Sequence, residues 1–161
     1  MRREYYLDMK KETEARRPKI LIIEDNDANH SLFRQSFENF GFEVVISDTA
    51  EDDFVEAVCA LKPDVISMDI MIGKANIEVA RDGLQALELL KSDDRTKDIP
   101  VIMLTNFHTE DKVEKAKSLG AVDYINLQSR VITQVPEIYL NYLANPEVYI
   151  PVHPAFQAKV K

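Results

Sequence analysis

"DVISMDIMIG", residues 64–73, is an apolar stretch that carries one carboxylate, Asp69, and ends at a glycine. Its run of β-branched and other apolar residues is typical of a strand buried on both faces of a sheet. Burying a carboxylate without a partner is costly. Asp69 therefore indicates that the end of this strand meets a counter-charge or a ligand.

Similar apolar segments lie on both sides of this stretch, and helical patterns separate them. The other predicted strands are "KILIIED" (19–25), "FEVVIS" (42–47), "IPVIMLTN" (99–106) and "VDYINL" (122–127). The predicted helices are 27–40, 49–63, 82–93, 109–120 and a last one between Ser129 and Ala144. Strands and helices that alternate five times predict an α/β fold, with a parallel sheet covered by helices on both faces.

Residues that start and stop helices refine these bounds. Asp27 is the expected cap of the first helix, and Gly41 is placed to end it. Thr49, with Asp52 three residues later, predicts a loose capping box for the second helix. Pro136 belongs in the first turn of the last helix or at a kink.

Composition and charge limit the functions that the chain can have. The 161 residues fit one domain, and no apolar run approaches the roughly 18 residues that span a bilayer, so a cytoplasmic protein is expected. Residues 1–19 hold seven Lys or Arg and four Asp or Glu, which leaves −11 for the remainder of a chain whose net charge is −8. A body this acidic disfavours direct nucleic-acid binding.

Acidic residues end two of the buried strands. Glu24 and Asp25 end the first predicted strand and Asp69 nearly ends the third, so the three carboxylates converge if these strands are neighbours. Three like charges need a counter-charge, and oxygen ligands with an open, hydrated shell suit Mg²⁺. Thr105 brings a hydroxyl to the same edge. The set of side chains is suited to holding a phosphoryl group.

Four motifs in this order resemble those of the receiver domain of two-component response regulators. They are "LIIED" (21–25), "DVISMD" (64–69), "IPVIMLT" (99–105) and "LGAVDYI" (119–125). The resemblance covers residues 18–144 and implies a flavodoxin-like (βα)5 fold, a doubly wound parallel sheet of strand order 2-1-3-4-5. It also implies a signalling domain that catalyses its own phosphorylation and dephosphorylation rather than an enzyme.

The resemblance also implies a role for each matching residue. Asp69 would accept the phosphoryl group from a histidine kinase or phosphotransfer protein. Glu24, Asp25, Asp69 and the backbone carbonyl of Met71 would bind Mg²⁺. Thr105 would contact the phosphoryl oxygen, and Tyr124 would turn inward as Thr105 moves, which would reshape the surface of the fourth helix, fifth strand and fifth helix for a downstream partner.

The chain departs from the family pattern at two places. Leu127 stands where receivers usually carry a lysine, and Gln128 stands at the usual proline. The loop after Asp69 is longer than usual and contains Lys74 and Arg81, so either residue could replace the missing charge in space, or both could be solvated loop charges.

Two other functions stay open beside the phosphorylated receiver. The missing lysine favours a pseudo-receiver that binds proteins independently of phosphorylation, whereas the retained acids and Thr105 oppose it. A phosphatase with an aspartate nucleophile needs a second aspartate where Met71 stands, which disfavours that enzyme class. His30, His108 and His153 lack the spacing of transition-metal ligands.

The expected organisation is therefore a single receiver domain with two extensions. Residues 1–17 form an N-terminal extension, helical or flexible, and residues 18–144 form the receiver. Residues 145–161 form a tail whose prolines predict an extended or disordered course along the surface, and no separate output domain fits within it. The apolar side of the last helix covers the sheet and also allows a homodimer.

Overall fold

A computed structural model describes residues 16–51, 53–73 and 81–158. Five strands are formed by β1 Lys19–Ile23, β2 Glu43–Ser47, β3 Val65–Met68, β4 Val101–Thr105 and β5 Asp123–Asn126. Five helices are formed by α1 Asp27–Asn39, α2 Phe54–Leu61, α3 Gly83–Ser92, α4 Glu110–Ser118 and α5 Val135–Ala144. All strand pairs are parallel and the order is β2-β1-β3-β4-β5, so the predicted fold class is confirmed.

The sheet divides the apolar interior into two clusters. Alternate strand residues face α2, α3 and α4 on one side and α1 and α5 on the other. On β1, for example, Leu21 and Ile23 join the first cluster, whereas Ile20 and Ile22 join the second. Each strand is thus buried on both faces, which explains its nearly continuous apolar sequence.

Local sequence explains most helix ends. Gly41 has φ +88° and follows the end of α1, as predicted, because a left-handed turn is open to glycine. The cap of α1 is Asn26, whose side chain accepts from the Ala28 amide, so the expectation for Asp27 was wrong by one residue. Pro136 lies in the first turn of α5, as expected.

The second helix starts later than predicted. It begins at Phe54, so its N-cap residue is Asp53 and the prediction of Thr49 as the cap was wrong. The Asp53 side chain makes no capping hydrogen bond. Asp52 lies outside the described residues. The Ser47 hydroxyl instead donates to the Thr49 carbonyl at 3.0 Å, a turn bond that competes with the helix for this segment.

The C-terminal tail corrects a second expectation. Residues 146–157, here called the strap, do not run loosely over the surface but pack against α5, β5 and α4 and end in a 3-10 turn at Pro154–Phe156. The predicted N-terminal extension falls almost wholly outside the described residues. No helix in the described part of the chain combines the length and hydropathy that a bilayer span needs.

Candidate phosphoryl-acceptor site

Three carboxylates meet at the carboxyl ends of β1 and β3. The strands pair in register at Ile23 and Met68, so the residues that follow them, Glu24 and Asp69, emerge side by side. Glu24, Asp25 and Asp69 each offer one oxygen, and these oxygens all lie within 4.8 Å of one another. The convergence predicted from the sequence is therefore present.

Glu24 is buried, with 3% of its surface exposed. Its Oε1 accepts from the Asn26 amide at 2.9 Å, and the Asn29 side chain also hydrogen-bonds to it. Burial raises the pKa of Glu24 above its usual value, and the charges of Asp69 and Asp25 raise it further. The surrounding hydrogen bonds therefore do not compensate for the loss of water.

The pKa of Asp69 is also raised above its usual value. Its Oδ1 accepts from the Ile70 amide at 2.7 Å, and the Thr105 hydroxyl and the Met71 backbone amide also hydrogen-bond to the carboxylate. Burial is the main cause of its raised pKa, and the charge of Asp25 adds to it. Because an ionised carboxylate has about four acceptor positions, three donors leave room for a cation.

The oxygen cluster fits a small, hard cation. Mg²⁺ binds oxygen at about 2.0–2.1 Å, so ligands on opposite sides of the ion are about 4.2 Å apart, which is compatible with three oxygens within 4.8 Å. The raised pKa values of Glu24 and Asp69 also indicate that positive charge would be favourable there. The Met71 amide lies against Asp69, which brings the Met71 backbone to the same site.

Thr105, at the end of β4, and Tyr124, on the neighbouring strand β5, are linked through the backbone of Phe107. Thr105 is fully buried, and its Oγ1 accepts from the Phe107 amide at 3.1 Å. The Tyr124 hydroxyl donates to the Phe107 carbonyl. Tyr124 is only 1% exposed and its ring packs inward, in the cluster that contains α4. Its role as the switch aromatic stays a prediction.

No cation comes from the position where receivers carry their lysine. Leu127 follows β5 and packs against the cluster that contains α1 and α5. Arg81 donates to the carbonyls of Ala50 and Glu51 at 3.1 and 2.8 Å, which ties it to the loop after β2. Lys74 lies outside the described residues. That a loop cation takes the place of the missing lysine therefore stays a hypothesis.

Gly83 supports the site in a way that the sequence analysis missed. A Cβ added to this residue would lie 1.8 Å from the carbonyl oxygen of Asp69, and the Gly83 amide donates to the Ile70 carbonyl at 2.7 Å. The start of α3 therefore packs directly against the backbone that carries Asp69. The available signal was the pair Asp82-Gly83 before an apolar helix, where Asp82 and Gln85 form a capping box.

The match to known proteins agrees with this geometry. The family model of the response regulator receiver domain matches residues 20–130. The chain is 37% identical over 111 residues to the DNA-binding dual master transcriptional regulator RpaA of Synechocystis, covering 67% of this chain and 42% of that protein. It is 31% identical over 107 residues to the polar-differentiation response regulator DivK of Brucella anthropi, covering 66% and 81%.

Solved structures show the same fold. The receiver domain of sensor histidine kinase PA1611 from Pseudomonas aeruginosa, with magnesium in its active-site cleft, superposes with TM-score 0.66 at 20% identity over 79% of this chain and 98% of that one. The chain belongs to the response regulator receiver domain family of two-component signalling. The match covers less than half of the length of RpaA. The remainder of RpaA is not aligned with this chain.

The raised pKa values predict a pH-dependent response to Mg²⁺. Glu24 and Asp69 hold protons to higher pH when folded than when unfolded, so their stabilising contribution is complete below about pH 4 and is lost as pH rises through the folded pKa values. Mg²⁺ binds the ionised forms. At about ten times its dissociation constant, we expect it to add about 1.4 kcal/mol near pH 7.5 and clearly less near pH 5.

Thermal unfolding with and without Mg²⁺ at both pH values measures this difference. Glu24→Gln is the matched control, because it keeps the side-chain shape and removes one of the three charges. It should raise the Tm without metal at neutral pH and reduce the Mg²⁺ response. An equal Mg²⁺ response at the two pH values, or a full response in Glu24→Gln, would contradict the metal site.

Proposed function

We propose that this receiver accepts a phosphoryl group on Asp69 from a histidine kinase or phosphotransfer protein and signals through altered partner binding. The observation that carries the proposal is the meeting of Glu24, Asp25 and Asp69 within 4.8 Å, with the Thr105 hydroxyl on Asp69. The proposed ligands of Mg²⁺ are these three carboxylates and the Met71 backbone carbonyl. PA1611, which has the same fold, holds magnesium in its active-site cleft.

The residues have separate tasks in the transfer. An oxygen of ionised Asp69 attacks phosphorus, the phosphorus–nitrogen bond of the donor phosphohistidine breaks, and the leaving imidazole nitrogen takes the electron pair and later a proton. Bound Mg²⁺ supplies positive charge to the transferring oxygens. The Thr105 hydroxyl, which now donates to Asp69, is placed to donate to an oxygen of the new phosphoryl group.

Intact mass after incubation with Mg²⁺ and acetyl phosphate tests the proposal. We expect the wild-type chain to gain the mass of one phosphoryl group and Asp69→Asn to gain none. Asp98→Asn is the matched control, because it removes a carboxylate that lies outside the cluster of three. A mass gain that persists in Asp69→Asn, or no gain in a wild type that does bind Mg²⁺, would rule out this function.

A second function is favoured by two observations. Leu127, partly buried against the cluster of α1 and α5, stands where a lysine would serve the phosphoryl group, and Tyr124 is already buried. Both suit a pseudo-receiver that presents one surface permanently and binds its partner without phosphorylation. The absence of both Mg²⁺ binding and phosphoryl incorporation in the same preparation would favour this alternative.

The remaining assignments belong to the same proposal. We propose residues 18–144 as the receiver, preceded and followed by extensions, acting in the cytoplasm. Its outputs are protein contacts rather than direct nucleic-acid binding, and a homodimer through α5 is compatible with them. RpaA is a DNA-binding regulator by name, but the match covers 42% of it and does not transfer that activity.

A further inference from the structure

The strap crosses a face of the receiver that Tyr124 borders. Tyr149 packs with its ring 5.3 Å from that of Tyr142 on α5, and Val152 packs against the cluster beneath α5. Ala155 and Phe156 pack against the other cluster, and their 3-10 turn contacts α4. The strap therefore reaches from α5 across the end of β5 to α4.

One buried carboxylate anchors the strap. Asp123, the first residue of β5, is fully buried, and both of its oxygens accept hydrogen bonds from the strap. Its Oδ2 accepts from the Tyr149 hydroxyl at 2.5 Å and the Val152 amide at 2.7 Å, and its Oδ1 accepts from the His153 amide at 3.1 Å. Hydrogen bonds to a charged acceptor are among the strongest in proteins.

A hydrogen bond between two histidines joins the strap to the receiver beside Tyr124. The Nε2 atoms of His108 and His153 lie 2.9 Å apart, and the two rings lie 6.0 and 5.8 Å from that of Tyr124. The Ala155 amide donates to His153 Nδ1, so in neutral His153 the proton is on Nε2, which donates to His108. The same tautomer leaves His153 Nε2 without a lone pair for a metal ion.

We propose that the strap is a built-in ligand of the face formed by α4, β5 and α5, recognised by Asp123, and that its docking holds Tyr124 in the inward position. A partner at this face must displace the strap or bind over it. Such a competitor would have to offer Asp123 what the strap offers, namely a hydroxyl and two successive backbone amides. The proposal concerns the resting chain and does not depend on phosphorylation of Asp69.

Amide hydrogen exchange of the full chain, followed residue by residue by NMR, tests the anchor. Asp123→Asn replaces one of the two acceptor oxygens with an NH2 group. In either orientation of the side-chain amide, this NH2 group faces at least one backbone N–H donor, from the strap or from Tyr124. We expect the Val152 and His153 amides to exchange at least about tenfold faster in this variant, because charged hydrogen bonds are lost. Amides of β1 should keep their wild-type rates.

Two milder variants keep the test informative if Asp123→Asn is poorly folded. Tyr149→Phe removes one hydroxyl donor to Asp123, and a smaller increase at the same two amides is expected. Tyr142→Phe is its matched control, because it removes a hydroxyl from the neighbouring ring in the same aromatic contact and should leave both rates unchanged. Unchanged protection of Val152 and His153 in both Asp123→Asn and Tyr149→Phe would overturn the proposal.

The Phe107 amide reports on Tyr124 in the same experiment. Phe107 donates through its amide to Thr105 and accepts the Tyr124 hydroxyl through its carbonyl. If the strap holds Tyr124 inward, release of the strap should also accelerate exchange at Phe107. Release of the strap with an unchanged Phe107 rate would overturn the coupling to Tyr124. None of these measurements uses Mg²⁺ or phosphate, so their outcome is separate from that of the phosphorylation test.

Discussion

Leu127→Lys should accelerate phosphoryl incorporation from acetyl phosphate about ten- to a hundredfold. Leu127 follows β5 one position beyond the pair Thr105–Asn126, at the same sheet edge as Asp69. Three carboxylates and one Mg²⁺ leave the site about one unit negative, and a lysine ammonium would remove this excess. One charged hydrogen bond contributes about 1.5–3 kcal/mol, and each 1.4 kcal/mol of transition-state stabilisation is about tenfold in rate.

Leu127→Met is the matched control for this gain. It has an unbranched side chain without charge, so it separates the ammonium group from the loss of leucine packing in the cluster beneath α1 and α5. Initial rates of mass gain in Mg²⁺ and acetyl phosphate provide the comparison. Equal rates in the two variants would show that the missing charge does not limit the reaction.

The same assay decides whether a loop cation already acts in place of the lysine. If Lys74 or Arg81 supplies the charge, Lys74→Ala or Arg81→Ala should slow incorporation, and Leu127→Lys should restore the rate in that background. Arg81 also braces the loop after β2, so its variant needs a measured free energy of unfolding beside the rate. Unchanged rates in both alanine variants would discard this hypothesis.

Gly83→Ala should lower the free energy of unfolding by about 2–3 kcal/mol and weaken the Mg²⁺ response. The added Cβ would lie 1.8 Å from the Asp69 carbonyl oxygen and 2.9 Å from the Ile70 Cα, and both are backbone atoms that cannot rotate away. Overpacking of this kind typically costs about 1–3 kcal/mol. Relief of the clash must move the loop that carries Asp69, so both stability and metal binding are affected.

Urea unfolding, with and without Mg²⁺, measures both effects. Gly41→Ala is the contrasting control, because Gly41 has φ +88° and no neighbouring atom within 4 Å of an added Cβ. It should cost about 1–2 kcal/mol through backbone strain alone and leave the Mg²⁺ response intact. A Gly83→Ala variant that is as stable as the wild type and binds Mg²⁺ normally would show that α3 does not position Asp69.

The fold and the acidic cluster were predictable because their signals are local. Each buried strand is a short apolar run, and the acids stand directly at strand ends, so the neighbouring β1 and β3 bring Glu24 and Asp69 together. The start of α2 was predicted too early, because several polar residues before Phe54 could serve as a cap.

The strap was not predictable because its contacts join distant parts of the chain. His108 and His153 are 45 residues apart in sequence and lack the spacing of metal ligands, yet their Nε2 atoms are 2.9 Å apart. Nothing near Asp123 in the sequence indicates hydrogen-bond donors from residues 149–153. The inward position of Tyr124 depends on the same long-range packing.

The division of the interior by the sheet has a mechanical consequence. On the side of α1 and α5, the rings of Phe37, Phe42 and Tyr139 meet edge to face, and the Tyr139 hydroxyl donates to Ser67 at 2.8 Å. Such a layer is stiff, since aromatic rings and a buried polar bond allow few alternative arrangements. The opposite layer contains Met68 and Met103, whose unbranched chains repack easily. We therefore expect the layer that contains the two methionines to absorb movements of α4, while the aromatic layer keeps the sheet in shape.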